Sequence, residues 1–456
     1  MVLINRIFVE EYGKLRNFDV EFRASNIYNK QLNLSIIVGE NGTGKTSLLK
    51  FISEVFTNNK IKGNFSLDYS INNLDYSIDN EKKEIHSFEN YIYNLRPKKI
   101  IVSSYSTFEQ FKTSFKKKGG ETLNGSQDEI ENTTEYVYAG PKKRFNSASL
   151  SSIYVPILKN YLLFDFKKSF AIQELLKEIG YVERPFIQLK RIGILKRFNR
   201  NMPQLIDIDS PFANDELIEI ASKLEYFNDE FSDYVQTNYG YQRKKLMDLR
   251  MLQEYSGGIT QWLEDVQQME KIGIDIIEDL WFPKGPDIIP MKRFSSGELS
   301  MFFRFFKLID NMVDSSIVLI DEPETHLHPR WIQKYINILN DIFGHYSCHF
   351  IIATHSPLIV SDVPSQCIIG LKQKNNNIEQ FKIDEQTLGI SYREVLREVF
   401  HVDDLYSDYT KKLYEDILNL LEAGKVATAK ELYSKLGDSE LKFDLFIKFK
   451  EYEDKG

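Results

Sequence analysis

The sequence predicts an α/β fold: a parallel sheet carrying a phosphate-binding loop, with an antiparallel edge sheet, a helical insertion and a C-terminal helical segment. Three observations predict it. Gly39-Glu40-Asn41-Gly42-Thr43-Gly44-Lys45-Thr46-Ser47 stands between an apolar run at 34–38 and a helix-forming run at 46–52. A second apolar run, 317–320, ends in Asp321-Glu322, and a third, 348–354, is followed by His355. Short apolar runs of this kind read as buried parallel strands, which present their last residues at the sheet edge where α/β proteins bind ligands.

The first motif fits a phosphate. Gly39, Gly42 and Gly44 let the backbone close around an anion, and the helix behind them offers free N–H groups and its positive dipole end. In the spacing G-x-x-x-x-G-K-T, Lys45 is placed to reach the β- and γ-phosphates of a nucleotide, and the Thr46 hydroxyl to bind Mg²⁺. A glycine-rich turn with a surface lysine is the plainer alternative; the strand–loop–helix context argues against it.

In the second motif, Asp321 is expected in the Mg²⁺ shell, directly or through water, and Glu322 is expected to polarise the water that attacks the γ-phosphate. Taken alone, the pair reads equally as an acidic helix cap. His355, at the tip of the next strand, is placed for a neutral imidazole to hydrogen-bond the γ-phosphate or its attacking water.

Phe294-Ser295-Ser296-Gly297-Glu298 precedes a helix at 299–312 with apolar residues at Phe302, Phe303, Phe305, Phe306 and Ile309. Ser-x-x-Glu at that position is a capping box. Hydroxyls and a glycine at a helix N-terminus equally form a second phosphate-binding surface.

With these four motifs in this order, the chain resembles ABC-type ATPases. Ser295 matches the serine of their signature motif, Ser296 and Gly297 its small positions and Glu298 its polar fifth, while Phe294 replaces a leucine. The resemblance implies a P-loop NTPase of ABC-ATPase head type that uses ATP and Mg²⁺. It also implies a head-to-head homodimer or higher oligomer, in which the signature of one subunit closes the site of the other. Residues 3–18, 321–329 and 353–357 are most similar to the soluble RecF/SMC-like and OLD-like branch. Residues 98–111 and 136–141 are similar to segments of the Septu antiviral ATPase subunit, PtuA, which implies that ATP gates a separate nuclease of HNH type (PtuB). The transporter pattern would place a glutamine near Ser104; Gln110 lies further on, and its Mg²⁺-sensing role is left in doubt.

Four regions are expected: a head lobe with the P-loop (1–112), an insertion (113–285), a second head lobe (286–385) and a C-terminal helical region (386–456). Alternation at Phe65, Leu67, Tyr69 and Ile71 predicts the antiparallel edge sheet. The insertion reads as a mobile loop at 113–132 followed by mainly helical structure, with helices at 170–179 and 214–236. No sustained heptads occur, which excludes a long coiled-coil arm. A helical hairpin is expected at 409–421 and 426–436, turning at Gly424-Lys425. At 42% hydrophobic and 27% charged residues the chain is globular in type. No apolar run approaches the roughly 20 residues of a membrane helix, and no signal-peptide pattern opens the chain. Cys348 and Cys367, without metal-ligand spacing, read as buried thiols of a reducing cytoplasm.

A net charge of −8 argues against a uniformly basic nucleic-acid binder. Arg184, Lys190, Arg191, Lys196, Arg197 and Arg200, interleaved with Phe186 and Phe198, still form a stripe able to follow a phosphate backbone. It reads equally as a solvated helical face or an acidic partner's contact. After His355, Asp403, Asp404 and Asp408 follow no buried strand, so no convergent two-metal nuclease site is expected. His326, His328, His345 and His349 read as structural rather than zinc-binding. Two other functions stay open: a RecF-like DNA-binding ATPase of repair or recombination, and a slow ATP-sensing scaffold.

Overall fold

A computed structural model of the chain describes residues 1–456 apart from 24, 27–31, 58–60, 80–95, 106–110, 112–133, 141–150, 163–164, 182–183, 191–192, 195–204, 207–214, 238–242, 376, 384, 403–405 and 454–456. The loop expected at 113–132 and Gln110 lie outside the described residues.

In chain order the strands are β1 Val2–Tyr12, β2 Leu15–Glu21, β3 Ser25–Asn26, β4 Asn33–Gly39, β5 Phe65–Ile71, β6 Leu74–Asp79, β7 Lys99–Ser104, β8 Glu135–Tyr138, β9 Phe186–Leu189, β10 Gly193–Ile194, β11 Leu205–Ile206, β12 Ser232–Gln236, β13 Arg243–Asp248, β14 Ile277–Lys284, β15 Asp287–Pro290, β16 Ser316–Asp321, β17 His349–Ala353, β18 Ile368–Lys374 and β19 Asn377–Phe381. The helices are α1 Lys45–Thr57, α2 Ser151–Leu162, α3 Phe166–Glu178, α4 Asp215–Phe231, α5 Gly258–Lys271, α6 Ser296–Asn311, α7 Pro329–Gln333, α8 Tyr335–Phe343, α9 Pro357–Val360, α10 Tyr392–Glu398, α11 Asp408–Glu422, α12 Val426–Ser434 and α13 Glu440–Glu453.

The central sheet runs β19-β18-β4-β17-β16-β7-β8, with β3 beside β4. From β18 to β8 its neighbours are parallel, and only the hairpin β18–β19 and the short β3 run antiparallel. Every residue of β4, β16 and β17 is buried, as a strand covered on both faces requires. One face contributes Ile37, Ile100, Val102, Leu319 and Ile351 to a core shared with α1 and with the antiparallel sheet β2-β1-β5-β6. In that sheet Phe65, Leu67, Tyr69 and Ile71 point inward, as their alternation predicts. The alternate residues of the central strands face the other way; Phe350 of β17 meets Phe343 of α8 with ring centroids 5.5 Å apart.

The insertion differs from expectation. Instead of mainly helical structure, it holds an antiparallel sheet of order β12-β13-β9-β14-β15 beside its helices. The helix expected over 214–236 stops at Phe231, and Ser232–Gln236 continues as β12 on β13. Of the stripe's described residues, Phe186 lies on β9 and Arg184 and Lys190 flank that strand, so this part is not a helical face. This sheet leads straight into the signature segment, because only Met291–Arg293 separates the end of β15 from Phe294.

Met1–Tyr392 forms one compact unit and Arg393–Gly456 a second. In the second unit, α11, α12 and α13 bury Ile417, Leu421, Ala429, Leu445 and Phe449. The expected hairpin is present as α11 and α12, with a third helix following it.

Candidate nucleotide site

Three adjacent strands end side by side. Ile37 of β4 pairs with Ala353 of β17, and Ala353 pairs with Asp321 of β16. The ladder continues one step past the strand ends: Thr354 N–H donates to Ile37 O at 3.0 Å, and Glu322 N–H to Ala353 O at 2.9 Å. This register brings the glycine-rich loop, Asp321-Glu322 and His355 to one sheet edge.

The loop is shaped for close approach. Gly39, Gly42 and Gly44 have φ of 155°, 91° and 78°, a region that side chains rarely enter. A Cβ on Gly39 would overlap the Leu371 carbonyl oxygen and come within 2.7 Å of Thr43 Oγ1. Lys45, 6% exposed, donates to Gly39 O at 2.7 Å and Glu40 O at 3.0 Å. Burial pulls its pKa down, against the opposing pull of Glu322, Asp321 and Glu324. Thr43 Oγ1 donates to Glu40 O at 2.8 Å. Asn41 stays exposed at the loop tip, and Ser47 lies beside Gly13 of the β1–β2 turn. The next residue of that turn, Lys14, places Nζ 3.6 Å from where a Gly42 side chain would start. Lys14 belongs to none of the four nucleotide-site motifs, and the β1–β2 turn brings it to the loop.

Thr46 Oγ1 lies 3.1 Å from each carboxylate oxygen of Asp321, and Ser104 Oγ lies 3.5 Å from Oδ2. Burial pushes the Asp321 carboxyl up to about 7; Glu322 and Glu324 add to this, while Thr46 and Lys45 oppose it. A hydroxyl beside a carboxylate, at a sheet edge next to a phosphate loop, is a donor set that fits magnesium.

Glu322 sits at φ 51°, in left-handed backbone, which turns its side chain sharply off the strand. Its Oε1 lies 3.2 Å from His355 Nε2. Thr325 Oγ1 reaches Glu322 Oε2 at 3.5 Å. The pair is partly open to solvent, with side-chain exposures of 27% for Glu322 and 35% for His355.

The signature segment stands apart from this cluster. Ser295 caps α6 with a complete capping box: Glu298 N–H donates to Ser295 Oγ at 3.2 Å, and Ser295 N–H to Glu298 Oε2 at 2.7 Å. Lys284 of β14 holds the other oxygen of Glu298 at 2.6 Å. Phe294 is buried and stacks on Tyr181 with centroids 4.1 Å apart. The bulkier residue at the usual leucine position thus anchors the segment to the insertion. Ser295, Ser296 and Gly297 are exposed, and nothing lies within 4 Å of a Cβ on Gly297.

Of the cationic stripe, Arg191, Lys196, Arg197 and Arg200 lie outside the described residues, and Lys190 Nζ lies 3.8 Å from Asp275. His349 is fully buried, its Nε2 2.9 Å from Ser35 Oγ and its Nδ1 accepting from Ile4 N–H. His328 caps α7, and His345 meets the Lys167 carbonyl. These three histidines have structural partners. Two charges were given no role of their own by the sequence: half-buried Glu324, bonded to the His355 segment, and buried Arg304 of α6, bonded to the carbonyls on either side of Glu324.

Residues 3–360 match the AAA ATPase domain, AAA_15. The chain belongs to this family. Among its relatives, protein ea59 of Escherichia phage lambda is 25% identical over 385 residues, covering 84% of this chain and 57% of its own length. The retron Vc95 probable ATPase of Vibrio cholerae is 23% identical, covering 80% of this chain and 74% of its own length. The chain thus spans little more than half the length of ea59. The Smc head domain of Pyrococcus furiosus is a structural neighbour at a TM-score of 0.33 and 11% identity, covering 87% of this chain and 98% of that one. The AAA ATPase domain accounts for the phosphate loop and for ATP as its nucleotide. Among the described residues no helix is long and apolar enough to cross a membrane.

Proposed function

We propose that this AAA ATPase-domain chain hydrolyses ATP as a head-to-head homodimer, or a higher assembly of such dimers, within an antiviral defence system. In this reading its ATP cycle gates a separate nuclease of HNH type. The observation that carries the ATPase part is the meeting of Lys45, Thr46, Asp321, Glu322 and His355 at one sheet edge. The antiviral part draws on two relatives named as probable ATPases of retrons, Vc95 and Ec83. The likeness of residues 98–111 and 136–141 to Septu-type ATPase subunits supports the choice of a nuclease partner. Cys348 and Cys367, both buried as thiols, suit a reducing cytoplasm.

The chemistry follows from the side chains. The loop backbone and Lys45 hold the phosphates of ATP; on binding, Lys45 exchanges the carbonyls of Gly39 and Glu40 for phosphate oxygens. Thr46 and Asp321 would hold magnesium, which when bound neutralises charge on the β- and γ-phosphate oxygens. Glu322 takes up a proton from the attacking water. His355, beside that carboxylate, fixes the water and the γ-phosphate relative to each other. Ser295, Ser296 and Gly297, exposed at the start of α6, supply donors to the γ-phosphate bound by a second copy.

Glu322→Gln tests the ATPase part. It should keep ATP binding, accumulate as an ATP-bound dimer on size-exclusion chromatography and lose about 10²–10⁴-fold in turnover. Unchanged turnover would remove Glu322 from the chemistry. A preparation that cleaves DNA with no second protein present would overturn the separate nuclease.

A further inference from the structure

A carboxylate outside all four motifs joins two of them. Glu324 Oε1 accepts a hydrogen bond from Thr354 Oγ1 at 2.8 Å and another from the backbone N–H of His355 at 2.8 Å. Ser356 N–H in turn donates to Thr354 Oγ1 at 2.9 Å. A single oxygen therefore sets the course of three consecutive residues past β17.

Glu324 is itself held from behind. Arg304, 4% exposed on α6, donates from Nη1 to Pro323 O at 2.9 Å and from Nη2 to Thr325 O, the two carbonyls flanking Glu324. Its guanidinium carbon lies 3.6 Å from the centroid of the Tyr105 ring. A planar guanidinium gripping two carbonyls leaves the intervening residue little freedom.

The His355 ring has no such anchor. Among the described residues its Nδ1 is buried without a partner, and its Nε2 lies against Glu322. A functional imidazole is ordinarily oriented by a hydrogen bond at its second nitrogen. Here orientation must come through the backbone, and the backbone is fixed by Glu324.

We propose that Glu324 is a positioning residue for His355: its carboxylate, carried on a backbone that Arg304 grips at the Pro323 and Thr325 carbonyls, holds the His355 backbone so that Nε2 stays against Glu322 and the reacting phosphate. The proposal rests on the ATPase reading above, in which His355 touches substrate.

The test compares Glu324→Ala, Glu324→Gln, His355→Ala and the double variant Glu324→Ala/His355→Ala. Three quantities are measured: steady-state turnover, affinity for a fluorescent ATP analogue, and amide hydrogen exchange over 353–357 in the nucleotide-free protein. Glu324→Ala should lower kcat by about 10–100-fold, the worth of one or two hydrogen bonds to a charged acceptor, while analogue affinity stays within about twofold. It should also speed exchange at His355. Glu324→Gln presents an amide oxygen to the same two donors and should restore both turnover and protection. The double variant should be no slower than His355→Ala alone. Losses that multiply in the double variant would overturn the proposal, as would wild-type exchange in Glu324→Ala. Full turnover in His355→Ala would instead overturn the role of His355, a failure visible in that single variant.

Discussion

Replacing Gly39 by alanine probes the phosphate loop with one methyl group. Gly39 ends β4 at φ 155° and pairs with Leu371 of β18. The new methyl would press on the Leu371 carbonyl oxygen and sit 2.7 Å from Thr43 Oγ1. The first obstacle is backbone inside a parallel sheet, so relief requires lifting β4 from β18. The second is a hydroxyl already donating to Glu40 O, so rotating it away forfeits that bond. Overpacking of this kind costs about 1–3 kcal/mol and the unfavourable φ about 1–3 kcal/mol more, about 2–6 kcal/mol together. Any shift passes to Lys45, which is bonded to the Gly39 carbonyl. Thermal unfolding should therefore move down, and affinity for a fluorescent ATP analogue should fall with it. Gly297→Ala is the matched control: its Cβ meets nothing within 4 Å, so stability should stay within about 0.5 kcal/mol. A Gly39→Ala protein that unfolds at the wild-type temperature and binds the analogue at wild-type affinity would refute the loop geometry.

Further variants follow from the same physics. Arg304→Lys loses the planar fork that spans the Pro323 and Thr325 carbonyls; leaving one of them unpaired should lower stability by about 1–3 kcal/mol in thermal unfolding. Ser295→Ala removes the cap of α6 and should cost about 1 kcal/mol of stability, read by the same melt. Burial pulls the pKa of His349 from 6.5 to about 3, so the unfolded chain binds a proton that the folded chain refuses. Stability is then whole above 6.5 and falls as pH drops toward 3. Between about pH 7.5 and 5.5 this amounts to about 1.3 kcal/mol, and His349→Gln should flatten that part of the pH dependence of urea unfolding.

The parts of the fold legible in the sequence are those with strong local signals. β4, the loop and α1 carry glycines and a Lys-Thr at fixed spacing, while β16 and β17 hold the apolar runs 317–320 and 350–353, each followed directly by polar residues. α6 announces its start by Ser-x-x-Glu. The sheet of the insertion was hidden for the opposite reason. Between α4 and β12 stands no glycine or proline, and the chain leaves the helix only because Ser232–Gln236 finds a distant partner in Arg243–Asp248. The hydroxyl of Ser232 also donates to Asn228 at 2.7 Å, a local bond with no sequence signature. Glu324 and Arg304 were missed because their partners are mostly backbone groups, which no residue pattern announces. The one available signal was an arginine on the apolar face of α6, among Phe302, Phe305 and Phe306.

Subunit complementation tests most directly the claim that each ATP site is assembled from two copies. Lys45→Ala removes the phosphate lysine and Gly297→Ala disturbs the signature, so each variant alone should be nearly inactive. Mixed and allowed to exchange subunits, they form heterodimers that each contain one intact loop facing one intact signature. Random pairing should restore up to about a quarter of the wild-type sites, with turnover rising accordingly. A mixture as inactive as its components, or a Gly297→Ala protein that hydrolyses ATP at the wild-type rate, would contradict the two-copy site.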